Sequence, residues 1–286
     1  MNTEKSKDMQ EKNASKERPL VSFDWAVKRM LRSKANFEVV EGFLSELLES
    51  RITITSVLES KSNMAHPMDK SGCVNVVVED ASGELILIEI QFITEIDYLQ
   101  RMLYGVSKSI VEHIVQENEY EKIRKIFSIN IVYSDLGPGE DYVYYGRTDF
   151  RGIHESDTLL LTKKQQDIFG KIGIGELFVE YYVLSINKFD DITKNTLDEW
   201  VYFLKNDRIP DSFTAQGLLK ARDILDYSRL SQEERAEYDY AQKVKSQRIS
   251  QIATAKEEEK TEGEEKSAGV AEEQRKVIKE KDKTRE

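Results

Sequence analysis

One cysteine, Cys73, stands among 286 residues. No disulfide can form within such a chain, and the composition fits a reducing compartment. Long apolar runs are also missing. None approaches the roughly 20 residues that a membrane-spanning helix needs. The first residues are polar through Arg18, without the apolar stretch of a signal peptide. The expectation is a cytoplasmic protein with no membrane association. Positive charge is in deficit: 42 Lys and Arg against 53 Asp and Glu leave a formal net charge of −11. A chain with that balance is a poor general polyanion binder, so any contact with nucleic acid requires a local basic patch.

What is present is enough for a globular core, with 39% hydrophobic and 33% charged residues, but part of the chain must be heavily solvated. The solvated parts fall at the ends. Residues 1–19 are charged and almost free of large apolar side chains, which predicts a disordered arm. Residues 256–286 are nearly all Glu, Lys, Arg, Asp and small residues. They predict a charged tail with transient Glu–Lys helix pairs and no apolar stripe to dock. Between them, residues 20–190 read as an α/β domain and 191–255 as a helical extension.

The most informative stretch runs from Asp69 to Gln91. Cys73-Val74-Asn75-Val76-Val77-Val78-Glu79-Asp80 and Glu84-Leu85-Ile86-Leu87-Ile88-Glu89-Ile90-Gln91 are rich in Val and Ile, residues that suit a pleated surface. Ala81-Ser82-Gly83 between them fits a hairpin turn that ends in a left-handed glycine. That turn fixes a register in which Asp80 faces Glu84, Glu79 faces Leu85 and Asn75 faces Glu89. Cross-strand neighbours have Cβ atoms roughly 4.5–5.5 Å apart, and side chains alternate between faces. Asn75, Glu89 and Gln91 are therefore predicted on one patch. Oxygen ligands of this kind suit Mg²⁺, whereas a one-residue slip would send them to the opposite face. Taken by itself, such a Glu is in most hairpins merely a solvated residue.

The flanking chain alternates helix and strand. Phe23 to Leu31 and Asn36 to Leu48 carry apolar residues at helical spacing, with Phe37, Val40, Phe43, Leu44 and Leu47 predicted in the core. Lys28, Arg29, Arg32 and Lys34 form a local basic cluster, read either as phosphate contacts or as a solvated helix face. Ile52 to Leu58 reads as a strand. His66 follows in a loop and is either a base or simply exposed. After Gln91 an amphipathic helix carries Leu99, Met102, Leu103, Val106, Ile110, Val111 and Ile114, with Arg101, Tyr104 and Lys108 as a second stripe. Strands are predicted at Ile126–Tyr133, Tyr142–Phe150, Thr158–Leu161 and Leu177–Ile186. Their tyrosines serve either sheet packing or base stacking. Thr196-x-x-Glu199 and Ser231-x-x-Glu234 read as capping boxes that open two helices.

These residues resemble a known family. The Val-flanked strand, the turn with Gly83 and the Glu89-Ile90-Gln91 strand end look like the core of the PD-(D/E)XK nuclease superfamily. More narrowly, they resemble its recombination-promoting nuclease and transposase family. The opening Phe23-Asp24, the Arg101 and Tyr104 of the following helix, Trp200 to Asn206 and Leu230 to Arg235 look like further elements of that family, so the resemblance spans about Val21 to Lys256. It implies an α/β fold of restriction-endonuclease type: a central mixed β-sheet flanked by helices, with a helical C-terminal extension. It also implies a Mg²⁺- or Mn²⁺-dependent DNA endonuclease. Glu89 and Asn75 would hold the metal, Gln91 would orient water, and Arg101 with Lys108, Lys28 and Arg29 would bind substrate. An acid on the first helices, among Glu38, Glu41 and Glu46, would be able to assist the metal. The chain departs from the family at Asn75, where the resemblance places an Asp; Asn keeps a carbonyl ligand and loses the negative charge. That departure leaves open a catalytically inactive nuclease-fold protein that binds nucleic acid, pairs with another copy of itself as a homo-oligomer, or serves as a protein-interaction module.

Overall fold

A computed structural model of the chain describes residues 20–58, 73–93, 95–113, 123–255 and 257. His66, the predicted N-terminal arm and all but one residue of the predicted charged tail lie outside the described residues. Two compact units are distinguished, 1–238 and 239–286. The described part of the second, residues 239–255 and 257, is helical.

In the first unit, helices α1 (Phe23–Met30) and α2 (Phe37–Leu47) precede strands β1 (Ile54–Leu58), β2 (Cys73–Asp80) and β3 (Leu85–Gln91). Helix α3 (Tyr98–His113) leads to β4 (Ile126–Val132), β5 (Val143–Gly146), α4 (Lys163–Phe169) and β6 (Glu180–Ser185). Helices α5 (Thr196–Asn206) and α6 (Leu218–Ile224) follow. The described strands form one mixed sheet in the order β1-β2-β3-β4-β6-β5. The first three strands are antiparallel neighbours, whereas β3, β4 and β6 run parallel. Parallel neighbours need a crossover, and α3 supplies it between β3 and β4. This is the α/β, restriction-endonuclease-like arrangement with a helix-flanked mixed sheet.

The β2–β3 hairpin has the register its turn dictates. Gly83 takes φ +79°, and the Asp80 amide donates to the Glu84 carbonyl at 3.0 Å. Glu79 faces Leu85, Asn75 faces Glu89 and Cys73 faces Gln91.

Alternation along the strands sorts the core into two layers. Val76, Val78, Ile86, Ile88, Ile90, Ile129 and Ile131 face the larger one. There they pack with Phe23, Val27 and Met30 of α1, Val40, Phe43 and Leu44 of α2, Trp200 and Phe203 of α5, and Leu218 of α6. Val77, Leu85, Leu87 and Ile126 face a much smaller layer, closed by Val106 of α3.

Several local expectations shift. Thr158–Leu161 forms no strand; Thr158 and Leu160 make isolated bridges to Arg151 and Gly173. Asn195, not Thr196, caps α5, accepting from the Asp198 amide at 2.9 Å, because Asn serves as an N-cap as well as Ser or Thr. The hydroxyl of Thr196 donates to Glu46 instead. The Ser231–Glu234 box forms as predicted, with both reciprocal bonds present. Helix α3 departs most. Leu99, Leu103 and Val111 are exposed, while Tyr98, Val106 and Ser109 are buried. The stripe is only partly used: Val106 is buried and Ile110 packs beside it, while Tyr98 and Ser109 are buried in preference to Leu99 and Leu103.

Candidate active site

Antiparallel pairing of β2 with β3 and parallel pairing of β3 with β4 put Asn75, Glu89 and Asn130 in one row across three strands. All three lie on the face covered by α3. Glu89 is 2% exposed and Asn130 fully buried, whereas Asn75 is exposed at the end of the row. Gln91, two residues beyond Glu89 on the same face, is buried as well.

Buried polar groups must be hydrogen-bonded, and the partners come from α3. The Arg101 Nη2 donates to Gln91 Oε1 at 3.1 Å and stands 3.5 Å from Glu89 Oε1. Its Nη1 pairs with the Glu95 carboxylate. Gln91 completes its amide by donating Nε2 to the Ile93 carbonyl at 2.7 Å. One guanidinium is thus shared by two carboxylates and an amide.

A second contact fixes the start of α3. Tyr98 hydroxyl donates to Asn130 Oδ1 at 3.2 Å. The Nδ2 of Asn130 is directed to the Ser128 carbonyl at 3.1 Å, the Ser128 hydroxyl at 3.0 Å and the Tyr182 carbonyl at 3.2 Å. These acceptors determine the amide orientation and leave Oδ1 facing Tyr98. Further along the helix, Gly105 passes Glu89: a Cβ built on it would lie 3.9 Å from Glu89 Oε2 and 3.9 Å from Leu87 Cδ2.

Lys108 sits on α3 two turns beyond Arg101 and pairs with Glu112 at 3.7 Å. Lys28 and Arg29 belong to α1, whose apolar face packs in the larger layer on the other side of the sheet from Glu89. Arg29 pairs with Glu234 and lies over the Trp25 ring. The acids of α2 are engaged away from Glu89: Glu41 accepts from the Ile54 amide at 2.8 Å, Glu46 from Thr196, and Glu38 pairs with Lys220.

Glu95, Tyr98, Gly105 and Asn130 were not singled out from sequence. Asn130 had a signal. In Ile126-Phe127-Ser128-Ile129-Asn130-Ile131-Val132 the two polar residues alternate in an otherwise apolar strand, so both must share one face. Glu95 had none, because its role depends on where α3 puts Arg101.

The donor set bears on whether a divalent ion suits this chain. Among the described residues no group of three or more His, Cys, Asp or Glu side chains could hold a metal. The row offers one carboxylate, Glu89, and one exposed amide, Asn75. Mg²⁺ commonly takes one or two carboxylates, keeps several waters and uses substrate phosphates for the rest. These residues fit an ion held in that way, with fewer anionic ligands than an Asp at position 75 would give.

The helix-flanked mixed sheet is that of an α/β, restriction-endonuclease-like protein. A family model for the PD-(D/E)XK nuclease family transposases matches residues 21–255, and the chain belongs to that family. Membership carries a nuclease/transposase-type function with DNA as substrate, in a superfamily that generally uses divalent metals. No curated protein and no solved structure matches the chain. No helix among the described residues is long and apolar enough to cross a membrane.

Proposed function

We propose that the protein hydrolyses DNA phosphodiester bonds at the Asn75–Glu89–Gln91 patch with the help of Mg²⁺ or Mn²⁺. The observation that carries the reading is the shared face of Asn75, Glu89 and Gln91, with Arg101 directed onto it from α3. Glu89 and Asn75 would hold the ion. When bound, it supplies Lewis-acid polarisation of the scissile phosphate.

The rest falls to the chain. Glu89 accepts a hydrogen bond from the attacking water and orients it, in place of Gln91, whose amide is engaged at both ends by Arg101 and the Ile93 carbonyl. Gln91 keeps Arg101 in place through its Oε1. Arg101 carries a planar fork that matches two phosphate oxygens once phosphate displaces Glu95 from Nη1, and Lys108 on the same flank adds positive charge along the DNA backbone. An overall charge of −11 makes this local pair the electrostatic footprint on which binding depends. Lys28 and Arg29, on the opposite layer, contact DNA only if it wraps around the sheet edge.

The test is nicking of supercoiled DNA with Mg²⁺ and with Mn²⁺, wild type beside Glu89→Ala and Glu79→Ala. Glu79 lies on the same face nearer the turn, paired with Arg124 at 3.0 Å. Cleavage lost in Glu89→Ala and kept in Glu79→Ala is the expected result. Equal loss in both would remove the site from Glu89.

A second reading follows from Asn75. With a neutral amide in the row, the same surface serves a DNA-binding relative that does not cleave. Gel-shift titrations at several salt concentrations detect it, since each phosphate contact steepens the salt dependence.

A further inference from the structure

We propose that the Glu95 carboxylate is an internal competitor for the DNA phosphate: it holds Nη1 of Arg101 before DNA binds, and its displacement sets how tightly the backbone is held. The inference rests on Arg101 being a phosphate contact of the proposed site and adds what keeps that contact in check.

The two ends of the guanidinium are held differently. Nη2 is directed at the sheet, where it donates to Gln91 Oε1 at 3.1 Å and stands 3.5 Å from Glu89 Oε1. Both acceptors belong to β3 and both are buried. Nη1 pairs instead with Glu95, a quarter exposed, in the short connection between β3 and α3. The contacts on β3 orient Arg101, so Glu95 is not needed to aim it. What Glu95 takes up is a donor that an anionic oxygen from outside must reach. A guanidinium recognises carboxylate and phosphate through the same fork of donors. One anion therefore replaces the other without changing the charge around Arg101.

The exchange needs a side-chain rotation and no movement of the chain. The Glu95 carbonyl accepts from the Tyr98 amide at 3.4 Å, and the Tyr98 hydroxyl is tied to Asn130. With its backbone fixed at the start of α3, Glu95 swings its carboxylate out to water, where its neighbours Ile96 and Asp97 already stand exposed. Ion pairs near the surface contribute little, so Glu95 is a brake on binding and not a block.

A double-mutant cycle tests this, with fluorescence anisotropy on a labelled duplex in EDTA so that no strand is cut. The full chain is compared with Glu95→Gln, Glu95→Ala, Arg101→Ala and the Glu95→Gln/Arg101→Ala double variant. Glu95→Gln and Glu95→Ala should each bind DNA about three- to fivefold more tightly, and Glu95→Gln should bring no such gain once Arg101 is alanine. An equal gain in both backgrounds would mean that Glu95 merely repels DNA, and overturns the proposal. A gain in Glu95→Gln alone would come from a new amide contact and overturns it too. Unchanged or weaker binding in both Glu95 variants, with affinity lost in Arg101→Ala, overturns it while sparing the site, because Glu95 would then help to hold Arg101 for DNA. Wild-type affinity in Arg101→Ala removes Arg101 from the DNA contact, and both readings of this residue fall.

Discussion

Arg101 and Glu89 meet at 3.5 Å although 12 positions separate them, because the crossover helix returns over the strand that precedes it. Glu89 is almost wholly buried and Arg101 a quarter exposed, so the pair is partly shielded from solvent. Arg101→Ala should lower stability by about 1–3 kcal/mol, since it removes the charged donor of a buried carboxylate and of Gln91. DNA affinity should fall with it, and the salt slope of binding should decrease by about one phosphate contact. Arg101→Lys should recover the charge and not the paired geometry. Urea melts and fluorescence anisotropy at two salt concentrations measure both effects; affinity unchanged in Arg101→Ala would remove this residue from the DNA contact.

Asn75→Asp restores the second anionic oxygen. Two unit charges 4 Å apart interact by roughly 4 kcal/mol at an effective dielectric of 20, and desolvation of the new carboxylate offsets much of it. A net gain of about 1.4 kcal/mol is tenfold in Mg²⁺ affinity. Because the introduced carboxylate would face Glu89 directly across the strands, like charges should lower the ion-free melting temperature, with recovery on adding Mg²⁺. Calorimetry and thermal melts with and without ion check this, and nicking should rise in parallel. No change in either affinity or cleavage would exclude position 75 from the metal site.

Tyr98→Phe tests the anchor of α3. It removes the donor to Asn130 Oδ1 and leaves a fully buried acceptor without it, at a cost of about 1–3 kcal/mol. Arg101 lies one turn along the same helix, so DNA affinity should fall beyond what the lower stability accounts for at a temperature where the variant is fully folded. Asn130→Leu should be more damaging, because the Ser128 and Tyr182 carbonyls also lose their donor. Wild-type affinity in a folded Tyr98→Phe protein would show that the hydroxyl only stabilises the fold.

The hairpin turn has a pH signature. Burial pushes the Asp80 carboxyl above its ordinary value, against the opposing pull of hydrogen bonds from the Glu84 and Ser82 amides. A carboxyl raised on folding stabilises the native state below its unfolded pKa, and that contribution is lost as pH rises through the folded value. Asp80→Asn keeps an acceptor at Oδ1 and does not titrate there. The stability difference between wild type and Asp80→Asn should therefore move in favour of the variant as pH rises from about 4. Denaturant melts across that range measure it, and a difference independent of pH would contradict the assignment.

The amino-acid order by itself determined the β2–β3 hairpin, its register and the shared face of Asn75, Glu89 and Gln91. A three-residue turn and a period of two are local, and each restricts pairing without reference to the rest of the chain. It also marked the apolar strand at β4 and the helix after Gln91. Only the tertiary structure decided which side of that helix meets the sheet. Its apolar stripe pointed to Leu99 and Leu103, yet Tyr98 binds Asn130 across 32 positions and Arg101 binds Glu89 and Gln91. Burying Glu89, Gln91 and Asn130 without such donors would cost more than leaving two leucines in water. The same holds for α1: its basic residues were legible as a cluster, but only packing of Phe23, Val27 and Met30 in the larger layer put them across the sheet from Glu89. Local spacing gives a helix its faces, and the partner that each face meets is set by residues far away in the chain.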